Sequence, residues 1–122
     1  GSEVVLLVDD ESNVRYAVAM QLDMLGYEVR QAGSIAEAMD ILKQDHPLLL
    51  ISDIRLKKES GYSLVQSARS LYPHLPVLYI TGFSGFSDEK PDNEEVLLKP
   101  FSSTQLNEKI RQVLPQFKDR TK

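Results

Sequence analysis

Short apolar runs alternate with longer amphipathic stretches along the whole of this chain, and that alternation leaves few folds open. The runs occupy residues 4–8, 48–52, 77–81 and 96–98, with residues 27–32 as a more polar fifth candidate. Each is of strand length and too short for an ordinary helix. Within them apolar residues follow one another instead of alternating with polar ones, as expected of strands covered on both faces.

Between the runs the apolar residues recur at helical spacing. The first stretch places Val14, Ala17, Val18, Leu22 and Leu25 on one stripe and stops at Gly26. In the second, Ser34 and Glu37 fit a capping box ahead of Ala38, Ile41 and Leu42. The third carries Leu64, Val65, Ala68 and Leu71 after Gly61 and ends before Pro73. The last has Ser102 and Gln105 as a second capping box, then Leu106, Ile110 and Val113, with Pro115 beyond. Residues 83–95 hold Gly85 and Pro91 and show no apolar stripe, so a fourth helix there is expected to be short or irregular. Strands buried on both faces and alternating with helices predict an α/β fold, a doubly wound parallel sheet of five strands.

Length and charge narrow the function. A chain of 122 residues fits one domain. Its formal net charge of −4 disfavours binding to nucleic acid or to a membrane surface by this domain. No apolar run approaches the roughly 20 residues needed to span a bilayer. The chain has no cysteine, hence no disulfide and no thiolate metal site, which suits the cytoplasm. Gly1 and Ser2 read as a tag remnant, residues 3–114 as the domain, and residues 115–122 as a polar tail or the start of a linker.

In an open α/β sheet, ligands bind beyond the carboxyl ends of the strands. Here those ends carry Asp9, Asp10 and Glu11 after the first strand, Asp53 after the third, Thr81-Gly82 at the fourth and Lys99-Pro100 at the fifth. Two unit charges about 4 Å apart repel by ~4 kcal/mol at an effective dielectric near 20. Clustered carboxylates of Asp9, Asp10 and Asp53 therefore call for cations. Lys99 supplies one charge, and an all-oxygen donor set suits Mg²⁺ or Mn²⁺ for the rest. A carboxylate is a competent nucleophile toward phosphorus. Thr81 can donate a hydrogen bond to one phosphoryl oxygen and Lys99 can pair with another.

Asp9-Asp10, Asp53, Gly61, Thr81-Gly82 and Lys99-Pro100-Phe101, in that order at successive strand ends, resemble the receiver domains of two-component response regulators and hybrid sensor kinases. The resemblance spans nearly the whole chain and implies a flavodoxin-like (CheY-like) fold. It implies that Asp53 is the phosphoacceptor and that Asp10 is a direct metal ligand. Asp9 then acts largely through water, and the backbone carbonyl of Arg55 completes the protein ligands. Thr81 and Lys99 then contact the phosphoryl group. The phosphate comes from a histidine kinase or a His-phosphotransfer protein, and the domain switches conformation on receiving it. Such a domain is not an enzyme beyond its own phosphorylation and dephosphorylation, and is joined to a kinase or output domain in the full-length protein.

The chain departs from the family pattern at Val96, where an aromatic residue is common, and at Lys57, where proline is common. Residues 93–95 also lack the usual small-residue turn. A phosphatase of the haloacid dehalogenase type would need a second acid at the place of Arg55. A flavin carrier would need a Ser/Thr/Gly-rich loop where Asp9-Asp10-Glu11 would repel phosphate. The remaining alternative is a receiver-like interaction module that is not phosphorylated.

Overall fold

The computed structural model of the chain describes residues 4–82 and 94–114. In chain order the elements are β1 (Val4–Val8), α1 (Ser12–Met24), β2 (Glu28–Ala32), α2 (Ile35–Gln44), β3 (Leu49–Asp53), β4 (Arg55–Leu56), β5 (Glu59–Ser60), α3 (Gly61–Leu71), β6 (Val77–Thr81), β7 (Glu95–Leu98) and α4 (Ser103–Val113). Five strands form one parallel sheet in the order β2-β1-β3-β6-β7, the flavodoxin-like arrangement expected from the sequence. The expected short fourth helix falls almost wholly on residues 83–93, outside the described residues.

Side-chain alternation along the strands divides the core in two. Val5, Leu7, Leu49, Ile51, Leu78 and Ile80 face α1 and α4, where Val18, Leu22, Leu106 and Ile110 meet them. Leu6, Val8, Leu50, Val77 and Tyr79 face α2 and α3, against Ala38, Leu42, Leu64 and Ala68. With both faces covered, β1, β3 and β6 have no solvent-facing side, hence apolar runs that give way to polar residues only at the carboxyl ends of β3 and β6.

The helical stripes hold with two corrections. In α1 Ala17 is exposed and Ala19 is buried in its place, because the packed stripe turns toward Val18 and Leu22. In α3 Leu71 is exposed, and the buried stripe ends at Ala68. The capping box of α4 is complete, Ser102 and Gln105 bonding each other's backbone N–H. That of α2 is half made. Ser34 Oγ accepts from the Glu37 N–H, but Glu37 Oε1 accepts from Gly33 instead of Ser34.

Strand limits move by a residue. β2 starts at Glu28 and leaves Tyr27 as a core side chain, β3 is Leu49–Asp53, and β7 begins at Glu95. Asp53 thus closes β3 instead of following it. The sheet order reverses direction between β1 and β3, so the carboxyl ends of these two strands flank the topological switch point.

Candidate functional site

Backbone bonds beyond the strands fix the four loops that carry the site. Asp9 N donates to Ala32 O at 3.1 Å, Ile54 N to Ile80 O at 3.0 Å and Lys99 N to Thr81 O at 2.8 Å. The side chains that follow β1, end β3 and β6, and follow β7 are therefore held at one edge. Gly61 is part of the same construction. A Cβ there would lie 2.2 Å from the Asp53 carbonyl oxygen, so only glycine lets α3 start against the end of β3.

Lys99 ties the two buried acids together. Its Nζ donates to Asp53 Oδ2 at 2.7 Å and to Asp9 Oδ2 at 3.0 Å. The remaining oxygens accept backbone N–H groups, Asp53 Oδ1 from Arg55 and Asp9 Oδ1 from Glu11, both at 3.0 Å. Asp9 is wholly buried and Asp53 only 5% exposed, so neither charge is stabilised by bulk water. Lys99, read from the sequence as a site ammonium, keeps only 16% of its side chain exposed.

Burial pushes the Asp53 carboxyl above its ordinary range. The hydrogen bonds from Lys99 and from the Arg55 N–H oppose that rise without cancelling it, and the nearby Asp9 adds to it. For Lys99 burial works against the charge, but the bonds to Asp53 and Asp9 outweigh it and its pKa is raised. The ion pair is therefore lopsided: the ammonium gains from its surroundings, while the carboxylate remains costly to ionise.

Asp9, Asp10 and Asp53 each offer one carboxylate oxygen, all within 4.8 Å of one another. That spacing and an all-oxygen donor set fit a small hard dication. Asp10 is half-buried and lines a cleft of about 400 Å³ together with Asp53, Arg55, Lys57, Thr81 and Lys99. Thr81 is buried and its hydroxyl donates to the Gly82 carbonyl at 3.0 Å, so it must turn to reach a ligand in the cleft.

The structure thus brings together Asp9, Asp10, Asp53, Arg55, Thr81 and Lys99. It adds two residues that sequence reasoning had not assigned to the site. Arg15 donates through Nη1 to the Asp9 carbonyl at 2.7 Å and through Nε to Gln31 at 3.1 Å, bracing the turn after β1. Its only sequence signal is a cation in the first turn of α1. Lys57 lines the cleft from the β4–β5 hairpin, and nothing in its immediate sequence announces that hairpin.

The chain matches the family model of the response regulator receiver domain over residues 5–111. The "Probable transcriptional regulator ycf27" of Porphyridium aerugineum is 34% identical over 116 residues, 92% of this chain and 48% of that protein. Sensor kinase CckA of Brucella abortus (strain 2308) is 30% identical over 120 residues, 93% of this chain and 13% of that protein. The chain therefore spans about half the length of the first of these curated relatives and a small part of the second. Among solved structures, the Vibrio cholerae chemotaxis protein CheY4 gives a TM-score of 0.84 at 29% identity, covering 93% of this chain and all of that one.

Proposed function

This chain belongs to the response regulator receiver family, and from that membership we propose that Asp53 accepts a phosphoryl group from a phosphohistidine in a Mg²⁺-dependent reaction. The observation that carries the proposal is the bridged acidic cluster: two buried carboxylates on one ammonium, with a third within reach, at the switch point. Such a cluster is costly to maintain for structure alone.

In the proposed step an Asp53 carboxylate oxygen forms a bond to phosphorus as the P–N bond to the donor imidazole breaks. The electron pair stays on that nitrogen, which takes a proton from solvent. Asp53 Oδ1, fixed by the Arg55 N–H, keeps the carboxylate oriented, while Lys99 leaves its bridge to pair with a phosphoryl oxygen. Thr81 rotates from the Gly82 carbonyl to donate to a second oxygen. Mg²⁺, held by Asp10, Asp53, the Arg55 carbonyl and, through water, Asp9, would supply charge against the phosphoryl oxygens.

The donor is a histidine kinase or a His-phosphotransfer protein, and the domain, residues 3–114, acts in the cytoplasm as part of a protein with a kinase or output domain. The relatives, a probable transcriptional regulator and a sensor kinase, support either context. Among the described residues no helix is long and apolar enough to cross a membrane. The test is mass spectrometry after incubation with acetyl phosphate and Mg²⁺. Wild type is expected to gain one phosphoryl group and Asp53→Asn none. Equal labelling of the variant, or none in wild type, would refute the assignment and leave an interaction module.

A further inference from the structure

Lys57 is the one non-glycine residue with a positive φ among the described residues, at +55°. It opens the two-residue loop of the β4–β5 hairpin, in which Arg55 pairs with Ser60 and Leu56 with Glu59. A left-handed first residue in such a loop is ordinarily glycine, asparagine or aspartate, because a Cβ there crowds the backbone. A lysine therefore holds a strained position that a smaller residue would fill at less cost. Strain of this kind persists where the surroundings enforce it, and it clusters at functional sites.

The surroundings do enforce it. Leu56 is buried in the core, Arg55 N is bonded to Asp53, and Gly61 N is bonded to Ile54 O at 2.8 Å. The hairpin is thus mounted directly on the end of β3, and its loop overhangs the cleft. Lys57 is exposed and lines that cleft with Asp10, Asp53, Thr81 and Lys99. Lys99 is already committed to Asp9 and Asp53. Lys57 has no carboxylate within ion-pair distance among the described residues, so its charge is available at the mouth of the cleft.

In-line displacement at phosphorus places the leaving group opposite Asp53, on the side of the mouth. We propose that Lys57 is a specificity-determining residue that favours phosphoryl donors with an anionic leaving group, small acyl phosphates, over donors that release a neutral amine. With an acyl phosphate, the Asp53–phosphorus bond forms, the P–O bond breaks, and its electron pair departs with the carboxylate. Negative charge then builds on the leaving oxygen beside the Lys57 ammonium. Phosphoramidate reacts protonated on nitrogen, so when the P–N bond breaks its electron pair stays on nitrogen and ammonia departs uncharged, which gives the ammonium nothing to stabilise. The inference rests on Asp53 being the acceptor.

The test compares initial rates of phosphoryl uptake from acetyl phosphate and from phosphoramidate, in Mg²⁺, for wild type, Lys57→Gly, Lys57→Gln and Lys57→Glu. The ratio of the two rates should fall about threefold in the Gly and Gln variants and further in Glu, as expected for one exposed charge. The fall should shrink in high salt, where exposed charges are screened. Lys57→Gly should melt at or above the wild-type temperature, which separates lost selectivity from lost structure. An unchanged ratio, or two rates that fall alike, would overturn the proposal for Lys57. Wild type that labels with neither donor would instead overturn the assignment of Asp53, and this proposal with it.

Discussion

Gly61 shows at the scale of one residue how backbone and chemistry are joined. Its predicted place, at the start of a helix eight residues after Asp53, is visible in the sequence. The reason for glycine is visible only in three dimensions, where a Cβ would meet backbone at 2.2 Å and Ser52 Oγ at 3.1 Å. Backbone cannot swing aside as a side-chain tip can. Gly61→Ala should therefore destabilise the domain by about 1–3 kcal/mol, the ordinary range for overpacking. It should also slow phosphoryl uptake, because the displaced group is Asp53 itself. Urea unfolding and acetyl phosphate labelling check both, and a variant as stable and as reactive as wild type would show that β3 and α3 are not in such contact. Asp9, Asp10, Asp53, Thr81 and Lys99 could be read from the sequence because strand ends converge whatever the details of packing. The contacts that complete the site could not, since Arg15 and Lys57 depend on a turn and a hairpin without local signatures.

Among the elements, strands and helices followed from apolar periodicity, while their limits did not. β3 extends through Asp53 because the polar residue pairs in register with Ile80, and pairing, not polarity, ends a strand. The β4–β5 hairpin has no local sequence signal, because Lys57-Lys58 carries none of the glycine or asparagine that such a loop favours. Helix ends give a sharper test of local sequence signals. In α4 both halves of the capping box are made, and its first turn stands next to the Lys99 loop. Ser102→Ala should cost about 1 kcal/mol in urea unfolding, the usual price of a lost N-cap. Ser34→Ala at the head of α2 removes one bond of similar geometry, while Glu37 keeps its separate bond to Gly33. Gln105→Ala should therefore weaken the effect of removing Ser102, through the shared box, whereas Glu37→Ala and Ser34→Ala should add independently. Coupling of equal size at both helices would contradict the bonding described here.

For the molecule as a whole, the acidic cluster sets stability against function. The folded state raises the Asp53 pKa above its ordinary 3.8, chiefly by burial. Its contribution to stability is thus fully present below 3.8 and is lost as pH rises through the raised value. At neutral pH the ionised carboxylate opposes folding. Lys99 has the opposite effect there: with its pKa raised above 10.5, its contribution is fully present below that value and lost only in alkali. Asp53→Asn removes the opposing charge and leaves Lys99 its bond to Asp9. The Arg55 N–H and Lys99 bond different oxygens of Asp53, and an amide keeps an oxygen at only one of those places, so the variant also gives up one hydrogen bond, worth about 1 kcal/mol. That loss does not vary with pH, whereas the relief of charge does. Without divalent metal, the stability of Asp53→Asn relative to wild type should therefore climb from pH 4 to pH 7. Paired urea titrations across that range measure the difference directly, and titration of groups that do not interact with Asp53 drops out. Mg²⁺ should then close the gap by stabilising wild type, by about 2.7 kcal/mol at a hundredfold excess over its dissociation constant. A difference that stays flat or falls as pH rises would mean that Asp53 ionises in the fold at no cost, and that the cleft does not hold this carboxylate in a costly charged state.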